Sequence, residues 1–306
     1  MYDLIGDIHG HADELVSLLG QLGYERKGGV FRHPDRQAVF LGDLIDRGPQ
    51  IRETLEIVRP MVEAGVARAV LGNHEVNALA FTTPDVDTPG EFLRPHTPKN
   101  VQQHSETLRQ LSEGDLASHL DWFRKLPMWL DLGELRAVHA CWDDTRIREI
   151  DAAREGPLDA AFLHRACKPT GDLFPAVETL LKGKEAKLPP PLFFLDKDGH
   201  QRTFIRLRWF LDPAGHTFGS YALASHPIDC DELLPDDIHD AAVAYPAKAP
   251  PVFIGHYWLQ GESPALLARN VACLDWSVAK GGFLCGYSWD RAAVLRESGF
   301  RTARRS

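Results

Sequence analysis

The chain has 306 residues, of which 44% are hydrophobic and 25% are charged, and its formal net charge is −9. This composition is typical of a globular protein with ample material for a core, and the acidic balance argues against a protein that coats nucleic acid. Anionic substrates are still compatible with it, because bound divalent metals would invert the local field. Five widely spaced cysteines without a Cys-x-x-Cys pair exclude a disulfide framework or a zinc finger, so we expect reduced thiols.

The first 75 residues alternate between two kinds of pattern. Short apolar runs cut off by small or polar residues predict buried strands at 2–6, 37–41 and 67–71. Between them, apolar residues three and four apart predict helices at about 11–22 and 50–64. Strands that alternate with helices of this length indicate an α/β fold built from crossover units.

Beyond residue 75 the pattern is less regular. Residues 82–100 are rich in proline and predict a loop, and 101–126 return to helical spacing. Residues 128–139 predict a hairpin, and residues from about 145 to 187 have a helical and charged pattern.

The last third is predicted to contain further strands and a frayed end. Three consecutive prolines end the helical pattern, and the basic C-terminus from 301 to 306 is expected to fray. The predicted strands are 192–195 and 202–205 around a turn at 196–199, then 271–274, 283–287 and a short third.

The domain organisation follows from length and from these patterns. Length alone favours about two domains of roughly 150 residues each, although single α/β domains often run longer. Residues 212–250 have no clean period, and the apolar run 253–255 before His256 resumes the earlier pattern. We therefore expect a single domain over 1–306, with 145–250 as an insertion or lid over the sheet edge.

Five of the apolar runs lead directly into a residue of a metal-ligand type. In four of the five a glycine stands just before that residue, where a missing Cβ lets the backbone turn sharply. Because sites form outside the carboxyl ends of strands in open α/β sheets, these side chains are expected to converge at one edge. They are Asp7, Asp43, Asn73, His139 and His256.

Short motifs surround the first three of these residues. Asp7 and His9 would point the same way in an extended segment and could grip one ion, although a turn residue with a solvated histidine is an alternative. Asp46 and Arg47 follow Asp43, and an arginine fork fits a phosphate, although an Asp-rich turn would look similar. His74 follows Asn73 and could donate a proton, unless the pair is a helix cap beside a surface histidine.

Taken together, three motifs resemble a known family. Asp-x-His-Gly from residue 7, Gly-Asp-x-x-Asp-Arg-Gly from residue 42 and Gly-Asn-His-Glu from residue 72 are similar to those of calcineurin-like metallophosphoesterases, in the phosphoprotein-phosphatase branch. That branch includes serine/threonine phosphatases, symmetrical diadenosine tetraphosphatases and bacterial polynucleotide phosphatases. The resemblance implies a four-layer α/β (α+β) fold, with a central β-sandwich of two mixed sheets flanked by helices and a metal site at the C-terminal strand ends.

The resemblance also implies roles for individual residues. It gives His74 as the general acid, polarised by Asp46, and Arg47 as a ligand of the phosphoryl oxygens. It implies two divalent or trivalent metal ions that share Asp43, with manganese favoured and iron or zinc as alternatives. The first ion would be held by Asp7, His9 and Asp43, and the second by Asp43, Asn73, His139 and His256.

These roles predict an enzyme that cleaves phosphomonoesters by attack of a metal-activated hydroxide. The favoured interpretation is a broad-specificity, protein-phosphatase-like or polynucleotide-phosphatase-like enzyme. A diadenosine tetraphosphate hydrolase is the alternative, and a non-catalytic metal-binding interaction module is a distant one. The expected partners are phosphorylated small molecules, nucleotides, phosphopeptides or nucleic-acid ends, without a stable nucleic-acid coat.

The location of the protein is predicted from two kinds of segment that the sequence lacks. The N-terminus shows no pattern of a secretory signal, and no run approaches about 18 apolar residues. We therefore expect a cytoplasmic protein without a membrane span.

Weaker signals concern the rim of the site. One of Arg206 and Arg208 could be a second phosphate ligand, or both could lie on a solvated edge strand. Trp142 and Trp258 each follow a ligand histidine closely and could stack a ring of the substrate, although wall packing is an alternative.

Asp275 could accept the second ring N–H of a ligand histidine, or be a turn residue. Five further histidines are expected at the surface: His104, His164, His216, His226 and His239.

Overall fold

The computed structural model describes residues 1–195, 201–224, 228–241 and 244–305. Its N-terminal part alternates strands and helices as predicted, with one addition, the short hairpin β2–β3. That hairpin is largely exposed and charged, so it lacks the apolar run on which strand prediction depends. The elements are β1 (Tyr2–Ile5), α1 (Ala12–Gln21), β2 (Glu25–Lys27), β3 (Val30–Arg32), β4 (Gln37–Phe40), α2 (Ile51–Glu63), β5 (Ala67–Ala69) and α3 (Asn73–Thr82).

The middle of the chain is mostly helical. The predicted helix over 101–126 is wrong as a single element, because Ser112 caps a second helix by accepting a hydrogen bond from the Asp115 N–H. The elements are α4 (Pro98–Gln110), α5 (Glu113–Phe123), β6 (Trp129–Asp131), β7 (Arg136–Val138), α6 (Asp144–Ala153), α7 (Ala160–Cys167) and α8 (Phe174–Lys182).

The remaining elements are short. The predicted turn at 196–199 lies outside the described residues, and the predicted fraying at 301–306 is wrong for β16, which pairs with β15. The elements are β8 (Glu185–Lys187), β9 (Phe194–Leu195), β10 (Gln201–Arg202), β11 (Phe204–Arg206), α9 (Phe218–Tyr221), α10 (Asp236–Ala241), β12 (Val252–Ile254), β13 (Val271–Cys273), β14 (Asp275–Trp276), β15 (Phe283–Trp289) and β16 (Phe300–Ala303).

Two mixed sheets form the centre of the molecule. In the first, β1 runs parallel to β4 and β4 parallel to β5, whereas β15 pairs antiparallel with β1. In the second, β12 runs parallel to both β7 and β13, and β6 closes the edge antiparallel to β7. Residues from both sheets and from the helices α1–α3 and α5–α8 share one buried apolar cluster. This arrangement confirms the predicted fold of mixed sheets flanked by helices.

A second, smaller apolar cluster lies within the predicted insertion. It contains Ile205 and Leu207 of the β11 segment, Tyr221 of α9, and residues on either side of them. The helices α6–α8, by contrast, contribute to the main core. Within the described part of 145–250, the separate core therefore begins near β8.

Candidate metal centre

The five strand-end residues meet at one place, as the sequence predicted. Asp43 is central: its Oδ2 lies 3.5 Å from the His9 Nε2, and its Oδ1 lies 3.4 Å from the His139 Nε2. Asn73 contacts His139 through Oδ1 and Nε2, at 3.2 Å. His256 joins Asp43 and His139 in a group whose donor atoms all lie within 4.8 Å of one another.

Asp7 lies at the same site although it is outside these tight groups. Its Oδ2 accepts the His256 N–H at 3.0 Å, and its Oδ1 is buried without a hydrogen-bond partner. A second tight group contains His9, Asp43 and His74. The Nδ1 of His74 contacts Asp46, and its Nε2 lies 3.9 Å from the Asp43 Oδ2. The resemblance assigns Asp7, and not His74, to the ion at His9.

Backbone carbonyls fix the tautomers of two candidate ligands. The Nδ1–H of His9 donates to the Ile45 carbonyl at 2.8 Å, and that of His139 donates to the Leu41 carbonyl at 2.7 Å. A carbonyl only accepts, so in the neutral form of each ring Nε2 faces the site with its lone pair. This is the usual arrangement of metal-binding histidines, whose second nitrogen is held from outside.

Several buried polar atoms at the site lack a hydrogen-bond partner, and a bound metal would supply a partner. They include Nε2 of His9 and both ring nitrogens of His256. Burial, the carboxylate of Asp275 and that of Asp43 raise the pKa of Asp7 well above its usual value. Buried polar atoms without partners are rare and costly. Cations would satisfy these donors and relieve the repulsion between the carboxylates, so this donor set fits a metal centre.

Glycines make the close approach of these loops possible. A Cβ at Gly72 would collide with Oδ1 of Asp43, and a Cβ at Gly255 would collide with Oδ1 of Asp7. The sequence predicted this use of glycine from its position before the ligands. The backbone there is also unusual: among the described residues, most non-glycine residues with a positive φ lie in these loops, which is typical of strained functional sites. They are His9, Asp43, Asp46, Arg47, His256 and Trp258.

The positive φ of His9, 46°, changes one prediction. Asp7 and His9 are not related by the alternation of an extended segment, because the chain turns at His9. Both side chains still lie at the site, and His9 does so because the Ile45 carbonyl holds its ring.

His74 and Asp46 form the predicted pair, with the His74 Nδ1 2.6 Å from the Asp46 Oδ2. Burial alone would lower the pKa of His74, but the Asp43 and Asp46 carboxylates outweigh it and raise the pKa. The other oxygen, Oδ1 of Asp46, contacts the His104 Nδ1 at 2.8 Å and the Thr107 hydroxyl at 2.5 Å. Asp46 is therefore held from two sides, and its carboxylate orients His74.

The surface prediction for His104 is therefore wrong: its side chain is buried beside Asp46. In the sequence it stands on the polar helix α4 without a partner pattern, because its partner is 58 positions away. His164 and His216 are partly exposed, whereas His226 and the side chain of His239 lie outside the described residues.

Glu75 is a second residue whose role the sequence did not predict. Its Oε2 accepts the N–H groups of Asp43 and Gly72, and its Oε1 accepts that of Leu44, all within 2.9 Å. The side chain is completely buried. Glu75 thus fixes the loop that presents Asp43. Its place in the Gly-Asn-His-Glu motif was the available signal.

Arg47 and Trp258 lie together beside His9. The Arg47 guanidinium lies 4.3 Å from the Trp258 ring, and this ring stacks on His9 with centroids 5.4 Å apart. Arg47 is exposed and Trp258 half-buried, so both are at the rim of the metal centre. Solvent can therefore reach Arg47 and part of Trp258 next to His9.

Asp275 has a different contact from the one predicted. Its carboxylate accepts the backbone N–H groups of Trp258, at 2.6 Å, and Ser277, at 3.0 Å. The prediction that it binds a ligand histidine is wrong, because those oxygens hold the turn that follows His256. Asp275 acts on the site by positioning the backbone of Trp258.

The two arginines of the β11 segment differ in position. The Arg206 guanidinium lies 5.8 Å from the Tyr257 ring, and burial together with the Arg206 charge lowers the pKa of His256. The Nε–H of Arg208 instead donates to the Ala222 carbonyl at 3.1 Å. Arg206 is therefore the candidate for the second phosphate contact, and Arg208 is a structural residue.

Trp142 does not face the site. It is buried, its indole N–H donates to Asp144 at 2.9 Å, and the Arg136 guanidinium covers its ring at 4.5 Å. The prediction that it stacks on a substrate is therefore wrong, and its alternative, wall packing, describes it.

Comparison with known protein families identifies the family to which the chain belongs. Residues 2–174 match the calcineurin-like phosphoesterase family, and the chain belongs to it. The resemblance inferred from the three motifs is thereby confirmed. Among the described residues, no helix is long and apolar enough to cross a membrane.

The curated relatives are similar over part of their length. An asymmetrical bis(5'-nucleosyl)-tetraphosphatase of Bacillus subtilis (strain 168) is 38% identical over 150 residues, which cover 45% of this chain and 57% of the relative. A symmetrical bis(5'-nucleosyl)-tetraphosphatase of Hamiltonella defensa is 30% identical over 174 residues, covering 53% and 55%. The chain thus spans about half the length of these relatives.

Solved structures support the fold alone. A mutant cold-active protein tyrosine phosphatase matches with a TM-score of 0.52 at 18% identity, over 99% of this chain and 80% of the other. A serine/threonine phosphatase of Saccharomyces cerevisiae matches with a TM-score of 0.51 at 14% identity, over 100% and 80%.

Proposed function

We propose that this protein is a metal-dependent phosphohydrolase with a dinuclear centre. One ion would be held by Asp7, His9 and Asp43, and the other by Asp43 with the three remaining ligands, Asn73, His139 and His256. Manganese is favoured, and iron or zinc would suit the same mixed nitrogen and oxygen donors. When bound, such a metal pair supplies Lewis acidity and a water nucleophile at neutral pH.

The side chain of His74 supplies the proton for the leaving group. Its Nδ1 is committed to Asp46, so its Nε2 faces the centre, 3.9 Å from the Asp43 Oδ2. The raised pKa of His74, caused by the Asp43 and Asp46 carboxylates against the effect of burial, favours the protonated form. A protonated imidazole at this position can deliver its proton to an oxygen that leaves phosphorus.

Two arginines bind the transferred phosphoryl group in this proposal. Arg47 and Arg206 approach from the Trp258 and Tyr257 sides of the centre respectively. Their planar forks can each form two parallel hydrogen bonds with phosphoryl oxygens, which spread charge in the transition state.

The favoured substrate is a phosphomonoester, and the buttressed acid is the observation that supports it. An alkoxide is a poor leaving group and depends on protonation, which a rigid His74–Asp46–His104 arrangement provides.

A dinucleoside polyphosphate is the second candidate, because the relatives from B. subtilis and H. defensa carry tetraphosphatase names. A non-catalytic interaction module is disfavoured, since every expected ligand and the acid pair are at the site.

We also propose that 1–306 form one domain and that, within the predicted insertion 145–250, the part after α8 covers the site. Support comes from the small separate cluster around Ile205 and Tyr221, and from Arg206, which extends from that cluster toward His256. Substrate choice would then depend on this cover and on the rim residues.

Turnover by the His74→Asn variant tests the proposed acid. With glycerol 2-phosphate, whose leaving group needs a proton, kcat should fall about 10²- to 10⁴-fold. With p-nitrophenyl phosphate, whose leaving group is stable as an anion, the fall should be much smaller. His33→Asn, which removes a histidine that packs on Tyr24 away from the site, is the matched control. An equal loss on both substrates would contradict the acid role.

The wild-type protein also tests the choice of substrate. Rates on diadenosine tetraphosphate far above those on monoesters would make the dinucleoside polyphosphate the favoured substrate and the phosphomonoester the second candidate.

A further inference from the structure

A cleft leads away from the metal ligands along α3. The loop 85–95 forms one wall and the helices α7 and α8 form the other, and Asn73 is among the lining residues. The cavity volume is about 620 Å³, within the range of small-molecule sites. Because Asn73 also contacts His139 of the metal-ligand set, the cleft adjoins the centre at Asn73.

An aromatic stack ends at this cleft. Phe81 and His96 are stacked with centroids 3.8 Å apart, and His96 and Phe92 with centroids 4.3 Å apart. The His96 Nε2 is held by the Phe81 carbonyl at 2.8 Å, which fixes the middle ring. Phe92 is half-buried and lines the cleft. A planar ring bound on Phe92 would extend a stack that is already assembled.

Both signs of charge line the cleft, with Asp85, Glu91 and Glu178 against Lys168, Lys182 and Arg94, so the position of a bound anion depends on Arg94. Lys168 is paired with Asp85 and Asp87, and Lys182 with Glu178, so both lysines are largely neutralised. Arg94 differs, because its two terminal nitrogens donate to the neutral amides of Asn77, at 2.6 Å, and Gln103, at 2.7 Å.

Arg94 also connects the cleft to the proposed acid. It lines both the cleft and a smaller cavity shared with Asp46, His74 and His104. A fixed positive charge therefore lies between the aromatic stack and the reacting centre.

We propose that this cleft binds the nucleoside of a nucleotide substrate, with the base on Phe92 and the phosphates near Arg94. From Asn73 to Ala80, α3 extends about 10 Å, which is enough for a sugar and a base. The assignment rests on the proposed phosphohydrolase function and narrows its substrate to nucleotides. An aromatic phosphopeptide side chain is the competing occupant, and the test below separates the two.

The test measures binding without turnover. Adenosine 5′-(α,β-methylene)diphosphate resists hydrolysis at its P–C–P bridge, and methylenediphosphonate carries the same head group without the nucleoside. Calorimetric titration of the manganese-loaded protein gives the ratio of the two affinities, which isolates the nucleoside contribution. Phe92→Ala should lower the affinity for the adenosine compound about tenfold and leave that for methylenediphosphonate unchanged. Phe92→Trp should restore it.

Control variants separate the possible outcomes. Phe193→Ala removes an exposed phenylalanine outside the cleft and should change neither affinity. The inference is overturned if the wild-type protein shows no preference for the adenosine compound, or if Phe92→Ala leaves the ratio of affinities unchanged. It is also overturned if Phe92→Ala impairs only hydrolysis of a phosphotyrosine peptide. If no phosphate ester is hydrolysed although the ratio responds as predicted, the proposed function fails and the nucleoside site stands.

Discussion

At the residue scale, the arrangement of the centre depends on glycines, which have no Cβ atom, as much as on the ligand side chains. The backbone before Asp43, Asn73 and His256 comes so close to a carboxylate or to another loop that only glycine fits. Asp43 and His256 themselves adopt left-handed backbone conformations, which cost free energy unless the surroundings impose them. The ligand positions are therefore set by the fold before an ion binds.

The substitution Gly255→Ala tests this dependence. The added Cβ would collide with Oδ1 of Asp7, so we expect Asp7 to move and metal affinity to fall at least tenfold while the fold remains. The measurement is a metal-binding isotherm accompanied by circular dichroism. Gly20→Ala is the control, since a Cβ there meets nothing within 4 Å and should leave affinity unchanged. Equal isotherms for the two variants would refute the steric argument.

The sequence predicted the ligand residues and the pair of His74 and Asp46, because each is close in the chain to a strand end or a motif. It missed the residues that support them. His104 and Thr107 reach Asp46 from 58 and 61 positions away, and only the packing of α4 on the strand ends brings them there. Trp142 and Asp275 were misplaced for the same reason, since proximity in sequence to a ligand does not decide which way a side chain points.

At the element scale, the start of α3 joins two loops, the one that contains Asp43 and the one that leads into α3. Glu75 is buried, and its two oxygens accept three backbone N–H groups. Burial, together with the Asp43 charge, raises its pKa, yet the three donors favour the carboxylate. The helix start thereby supports Asn73 and His74 directly and Asp43 through its backbone.

We expect Glu75→Gln to damage the centre without changing the shape of the residue. An amide nitrogen in place of one oxygen would oppose at least one backbone N–H, and a buried unsatisfied donor costs about 1–3 kcal/mol. Urea denaturation should show this loss of stability, and the metal isotherm should weaken in parallel. Unchanged values in both measurements would mean that the loop does not depend on Glu75.

The helix α5 carries a histidine that should make stability depend on pH. Burial and the charge of Arg59 lower the pKa of His119 to about 4 in the folded protein, below its ordinary value of 6.5. Between pH 6.5 and pH 4, the unfolded chain therefore binds a proton at this histidine whereas the folded protein does not. The free energy of unfolding decreases as pH falls through this range. We expect the fall in urea midpoint between pH 7 and pH 5 to be smaller in His119→Gln. An identical fall in the variant would exclude His119 as a contributor.

Element boundaries were predictable where apolar periodicity was strong and unpredictable where it was not. The strands β1 and β4 and the helices α1 and α2 lie within two residues of their predicted positions, because each buries a regular apolar face. The split between α4 and α5 was missed, since apolar spacing continues across the Ser112 cap. The β2–β3 hairpin was missed because its side chains are mostly in solvent.

At the scale of the whole molecule, the two apolar cores support different parts of the site. The large core fixes the strand ends and thus the metal ligands, whereas the small core around Ile205 and Tyr221 supports the segment that carries Arg206. Long-range contacts of this kind leave little trace in a single sequence, so 145–250 was the least accurately predicted part.

The most direct test of the account is the metal content of the purified protein. The two proposed ligand sets that share Asp43 predict two ions per chain after loading with manganese, measured by elemental analysis. Asp43→Asn should lose both ions and hydrolytic activity together, because the shared ligand serves both positions. A wild-type chain that turns over phosphate esters with one ion or none, or an Asp43→Asn variant that keeps both ions and full turnover, would contradict the proposed dinuclear centre.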